Sequence, residues 1–147
     1  MNPQVFIVSP EEYSCALNVL GVEITVLATN QAAGAYEITL QEGAEGMGPP
    51  PHSQPWDESF FVLRGQVEFE AADQAATVQA GSLVHVPAGT VHAFRFGVGG
   101  AVMIEFTGAG GGATRMFTHV AQEVPPGPPD VPKLIDLLQK HRVAVAA

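Results

Sequence analysis

Short apolar stretches alternate with turn residues along the whole chain. Residues 22–29 follow Gly21 and alternate well enough to predict a strand. Residues 35–40 set Tyr36, Ile38 and Leu40 against Glu37 and Thr39, the two-residue period of another strand. A loop over 41–51 holds three Gly and three Pro. Strands are predicted at 59–63 and 67–70, with Arg64 and Gly65 as the turn between them. Two more, at 75–79 and 82–86, are split by Ala80 and Gly81, and a turn spans 87–90. Strands at 91–96 and 101–106 flank a loop at 97–100. The Gly-rich run 108–112 precedes one more predicted strand, 114–120. That run has no GK[ST] and no predicted helix after it, so it reads as a flexible connection and not a phosphate loop.

This succession of short strands predicts an all-β chain, an antiparallel sandwich or barrel. The barrel domain is assigned to residues 1–124. Residues 125–132 (PPGPPDVP) form a stiff linker. In the tail, 133–147, Leu134, Leu137, Leu138 and His141 share one helical face, predicting a short helix over 133–142 that packs back on the barrel.

Composition sharpens this. Of 147 residues, 16 are Gly and 12 Pro, too many punctuators for a helical bundle. The length suits one domain. The net charge of −9 argues against phosphate-backbone binding, so nucleic acid is not an expected partner. Charge is uneven: residues 1–132 carry −11, whereas Lys133, Lys140 and Arg142 against Asp136 give the tail +2. Those three cations read as a solvated helix face near a C-terminus. Cys15 is alone, so no internal disulfide is expected. No signal peptide and no membrane-length apolar run is visible, which makes the expected location cytoplasmic, with no membrane partner.

The chemistry concentrates in two places. His52 and Gln54 share one face of an extended segment, and Glu58, Phe60 and Val62 keep that parity. Downstream, His92 opens a strand on which Phe94 and Phe96 share its face. Two imidazoles and a carboxylate, from His52, His92 and Glu58, make the donor set of 2-His-1-carboxylate metal sites. Gln54 offers a neutral amide oxygen as a weaker fourth donor.

These residues also resemble the cupin family. Gly46, His52, Gln54, Glu58 and Gly65 meet every spacing of its first motif, G-x5-H-x-H-x(3,4)-E-x6-G, with Gln in the second His position. Gly81, Pro87, Gly89 and His92 meet the second, G-x5-P-x-G-x2-H-x3-N, with Phe96 where Asn is usual. The flanking segments look like small quercetin-dioxygenase-like cupins, and the PHxxPWDE pattern is similar to some polyketide cyclases.

The resemblance implies a double-stranded β-helix, a jelly-roll barrel with a short C-terminal helix. It implies a divalent metal (Fe, Mn, Ni or Zn) at the barrel mouth, held by His52, Gln54, Glu58 and His92, with Glu58 the catalytic candidate. It also implies a homodimer, for which the N-terminal strands suggest a swap. The expected pocket is lined by Trp56, Phe60, Phe94, Phe96 and Met103, with Tyr36 and Met47 as further candidates. Such a wall favours an apolar or aromatic small-molecule ligand. Three functions follow: a metal-dependent oxygenase, a polyketide cyclase or isomerase, and a non-catalytic binding cupin. Asp57 and Glu105 are candidate acid–base groups, the face of Glu105 staying open. His85 faces either the pocket or a second apolar layer, while His119 and His141 read as surface or packing residues.

Overall fold

The structure is a computed structural model, and it describes residues 4–146. A nine-stranded, antiparallel, curled sheet makes up most of it. Its strands are β1 (Leu17–Val19), β2 (Val22–Ala28), β3 (Glu37–Gly43), β4 (His52–Ser53), β5 (Glu58–Ala71), β6 (Gln74–Gln79), β7 (Leu83–Val86), β8 (His92–Thr107) and β9 (Ala144–Val145). The main path runs β1-β2-β3-β8-β4-β9, with β5 pairing β6, β7 and β8. This is an all-β architecture in which one curled sheet carries short helices.

Two sequence expectations change here. Residues 59–63 and 67–70 belong to one strand, β5, and residues 91–96 and 101–106 to another, β8. Arg64, Gly65 and the glycines at 97, 99 and 100 bend these strands without ending them. The β5–β8 register slips between Val62 and Arg64 and again between Gly65 and Val67. Gly65 sits at the bend with φ +81, and a Cβ there would overlap the Gly100 carbonyl and lie 3.0 Å from Ala101 Cα.

Residues facing inward along the sheet form cross-strand rows over β3, β8 and β5. These rows read Glu37–Thr107–Glu58, Thr39–Glu105–Phe60 and Gln41–Met103–Val62. All nine side chains are buried. The polar face of β3 is therefore the inner one, and Ile38 and Leu40 look outward against Phe106 and Ile104.

A four-residue helix, α1 (Asn30–Ala33), is capped by the Thr29 hydroxyl, which accepts from Ala32 N, and ended by left-handed Gly34. The strand predicted at 114–120 is instead helix α2 (Ala113–Glu123). Ala113, Met116, Phe117 and Val120 are its buried positions, an i, i+3, i+4, i+7 stripe. The Gly-rich run is thus followed by a helix, contrary to expectation. Helix α3 (Val131–Gln139) starts two residues earlier than predicted, because Asp130 caps it by accepting from Lys133 N and Pro132 fits its first turn. Leu134, Leu137 and Leu138 are buried as its pattern predicted. Both helices close one end of the sheet's interior and join its core cluster. No helix among the described residues is long and apolar enough to cross a membrane.

The bend makes a stability prediction. Gly65 and Gly81 both have positive φ, but only Gly65 has neighbours that a Cβ would strike. Gly81→Ala should cost about 1 kcal/mol, the left-handed penalty alone. Gly65→Ala should cost about 3 kcal/mol or more, because the paired strand must also move. Urea unfolding of the two variants measures the difference.

Candidate metal centre

His52 and His92 face each other directly across the β4–β8 pair, their ring centroids 4.4 Å apart. Glu58 opens β5 beside them, with its Oε1 3.8 Å from His92 Nε2. One ligand atom from each of the three residues lies within 4.8 Å of the other two. The tautomers follow from the neighbours. His52 Nδ1 lies 2.8 Å from the Pro50 carbonyl and His92 Nδ1 2.9 Å from the Thr90 carbonyl. A carbonyl only accepts, so each Nδ1 carries a proton and each Nε2 presents a lone pair inward. His92 Nε2 is buried and has no hydrogen-bond partner among the described residues. An orphaned acceptor between a second imidazole and a carboxylate suits a divalent cation, and backbone anchoring of the far nitrogen is how metal-binding histidines are oriented.

Gln54 is buried and lines the same cavity. Its Nε2 donates to the Trp56 carbonyl across a long 3.5 Å, with its amide oxygen as the remaining donor atom toward a cation. Its backbone carbonyl accepts from Gly89 N, tying the turn before His92 to the segment carrying His52.

Glu105 faces inward, which resolves the alternative left open by its sequence. Gln41 Nε2 donates to one of its oxygens at 3.0 Å and Thr107 Oγ1 to the other at 3.2 Å. Gln41 also donates to Thr39 Oγ1 at 3.2 Å. Burial first, and then the neighbouring Glu58 carboxylate, push Glu105 well above the ordinary carboxylate range. Burial and the adjacent His92 hold His52 below its ordinary value. Burial opposes charge on His92 as well, but the Glu58 carboxylate outweighs it and raises this imidazole.

The cavity holds about 70 Å³. Trp56, Phe60 and Phe94 wall it as expected, but Phe96 and Met103 are fully buried core residues outside its lining. Tyr36 and Met47 are exposed. Sequence reading missed Gln41, a wall residue on the polar face of β3, and the helical wall from Met116, Phe117 and Leu138. The alternation of β3 carried the first signal and the stripe of α2 the second. Asp57 is exposed and accepts from Ala88 N at 2.8 Å, so it serves the turn. His85 is exposed and bonds Ser59 Oγ at 2.9 Å, outside the cavity. His119 and His141 pair with each other elsewhere.

A family model described as a cupin domain matches residues 36–104, the stretch that supplies all four candidate ligands. Residues 36–104 thus match a cupin domain. Solved structures support the assignment of fold. KdgF from Halomonas sp. superposes with a TM-score of 0.68 at 14% identity, over 76% of this chain and 99% of that one. An RmlC-like cupin from Shewanella frigidimarina gives 0.67 at 13% identity, over 78% and 99%. The polyketide cyclase RemF from Streptomyces resistomycificus gives 0.62 at 18% identity, over 71% and 80%. No match was found among curated proteins.

The raised Glu105 carboxyl gives the metal-free cupin a pH dependence. A group whose folded pKa lies above its unfolded value binds a proton on folding, so stability falls as pH rises from the ordinary carboxylate range through the folded value. Glu105→Gln removes that loss. Its gain in melting temperature, in the presence of chelator, should be larger near about pH 8 than near about pH 5. Equal gains at both values would contradict this account.

Proposed function

We propose that this cupin is a metal-dependent small-molecule enzyme, with His52, Glu58 and His92 holding a divalent ion and Gln54 as a weak fourth ligand. The observation that carries this reading is the buried, unpartnered Nε2 of His92 beside Glu58. A bound ion would supply Lewis acidity toward a substrate oxygen, or O2 activation if it is iron(II). The finer reading is an oxygenase resembling the quercetin-dioxygenase-like cupins, acting on an apolar or aromatic substrate in the cytoplasm, with Glu58 as the catalytic carboxylate. Trp56, Phe60 and Phe94 support the apolar preference. A cavity of about 70 Å³ admits a group of a few heavy atoms, so a larger substrate would keep most of its body toward the mouth.

A second reading, a cyclase or isomerase, is favoured by Glu105. A carboxyl whose pKa is raised by burial next to the candidate ligand Glu58 could hand over and retrieve a proton without any O2. The likeness to RemF is one of fold and fits this reading without requiring it. Non-catalytic binding is the remaining alternative, favoured by Gln54 in place of an imidazole.

Metal analysis of protein purified without chelator tests the common core of the first two readings. About one divalent ion per chain is expected, with His52→Ala or His92→Ala weakening the site by about 100-fold or more and Gln54→His tightening it. Less than about a tenth of an ion per chain after reconstitution would overturn the proposal. Oxygen uptake with polyphenolic substrates then separates oxygenase from cyclase.

The homodimer belongs to this proposal as well. The outward face over β3, β8, β5 and β7 carries Leu40, Ile104, Phe61 and Leu83 in one cross-strand row with no charged residue among them. Val5 and Ile7 are exposed in the N-terminal segment. Light scattering should give twice the 15.4 kDa chain mass, and Phe61→Glu should return it to one.

A further inference from the structure

A second cavity, of about 420 Å³, lies on the far side of Trp56, between α1, the Gly-rich run, the start of α2 and the end of α3. Its volume is in the range of small-molecule sites and several times that beside the metal ligands. Trp56 is the one side chain that walls both.

The charge of this cavity runs against that of the chain. Arg115, Lys140 and Arg142 line it, which is half of the six basic residues of a chain with net charge −9. Among the described residues, neither Arg115 nor Arg142 has a carboxylate within 4.0 Å, whereas Lys140 shares Asp136 at 3.5 Å on the surface. The one acidic wall residue, Glu37, is buried, and its Oε1 already accepts from Thr114 N at 3.3 Å. That carboxylate takes up one N–H of the first turn of α2, and the helix end is not counted toward a ligand. Two donors are left over. Trp56 Nε1 and Thr114 Oγ1 are buried without a partner, and both residues are walls of this cavity. Trp56 is itself only 5% exposed.

We propose that this cavity binds a small oxyanion, phosphate or carboxylate, held by Arg115 and Arg142 with Lys140 at the rim. Guanidinium forks match two oxygens of such an anion. His141 also lines the cavity and shares a 2.8 Å hydrogen bond with His119. Burial, His119 and the Arg115 charge all depress the His141 pKa, and an anion seated there would oppose them. The inference is independent of the metal reading, since no candidate metal ligand lines this cavity.

Titration of the full chain with inorganic phosphate tests it. The indole N–H resonance of Trp56, the chain's single Trp, serves as reporter, with isothermal calorimetry alongside. Saturable binding at one site is expected, with the His141 pKa rising as phosphate is added. Arg115→Gln with Arg142→Gln should weaken binding about tenfold or more, and both side chains are exposed, so the core is untouched. His92→Ala should leave binding unchanged. No saturation, no effect of the arginine substitutions, or loss of binding in His92→Ala (phosphate seated on the metal instead) would each overturn the proposal. Phenyl phosphate identifies the source: tighter binding than inorganic phosphate marks the anionic group of an organic molecule, and equal binding a free ion.

Discussion

Everything in this fold depends on the curl of the ladder between β5 and β8. Glu58 sits at one end of that ladder, opposite Thr107, and Ala71 at the other, opposite His92. Were β5 straight, its 13 steps would separate those ends by about 43 Å. Yet Glu58 Oε1 and His92 Nε2 are 3.8 Å apart. The two register slips and the close approach of Gly65 to Gly100 and Ala101 supply the bend that closes this distance. Two motifs far apart in sequence thus become one centre because a backbone contact lets two strands turn together. His52 then needs only one bridge to His92 to complete the set.

The curl also decides what lies inside. Its concave face collects Glu37, Thr39, Gln41, Glu58, Glu105 and Thr107 among Phe60, Val62 and Met103. Burying so many polar groups is costly unless they bond one another, and Gln41, Thr107 and Thr39 do bond around Glu105. The remaining Glu58–Glu105 pair cannot be fully charged at small cost in an apolar cavity. Burial and the neighbouring Glu58 therefore raise Glu105 well above the ordinary carboxylate range, against the opposing hydrogen bonds from Gln41 and Thr107. Glu58, His52 and His92 then bring one ligand atom each to the same place, an arrangement that a cation would stabilise.

The fold and the clustering of the three candidate ligands were legible because the glycines, prolines and polar residues that carry them are set by local backbone needs and fixed spacing. What was less legible depends on tertiary contacts. Gly65 reads as a turn in isolation, and only the facing strand shows it to be a bend. In β3 the ordinary expectation of apolar inside is inverted, because Glu105 needs Thr39 and Gln41 near it while Ile38 and Leu40 pack outward. Residues 113–123 hold enough β-branched side chains to suggest a strand, yet Met116, Phe117 and Val120 follow the helical period and find a core to bury in. Phe96 and Met103 have the parity of pocket residues but lie deeper than the cavity reaches.

The strand that carries His52 is only two residues long, and its other neighbour is β9. His52 pairs with Val145, Ser53 with Ala144, and Ala146 N donates to the Pro51 carbonyl. One edge of the candidate metal centre is therefore clamped by backbone about 90 positions downstream. During synthesis, a chain that has already formed the β5–β8 ladder still lacks this clamp until residue 145 has left the ribosome. The centre then becomes rigid only once β9 has paired, and a disturbance of that short strand would be felt first at His52.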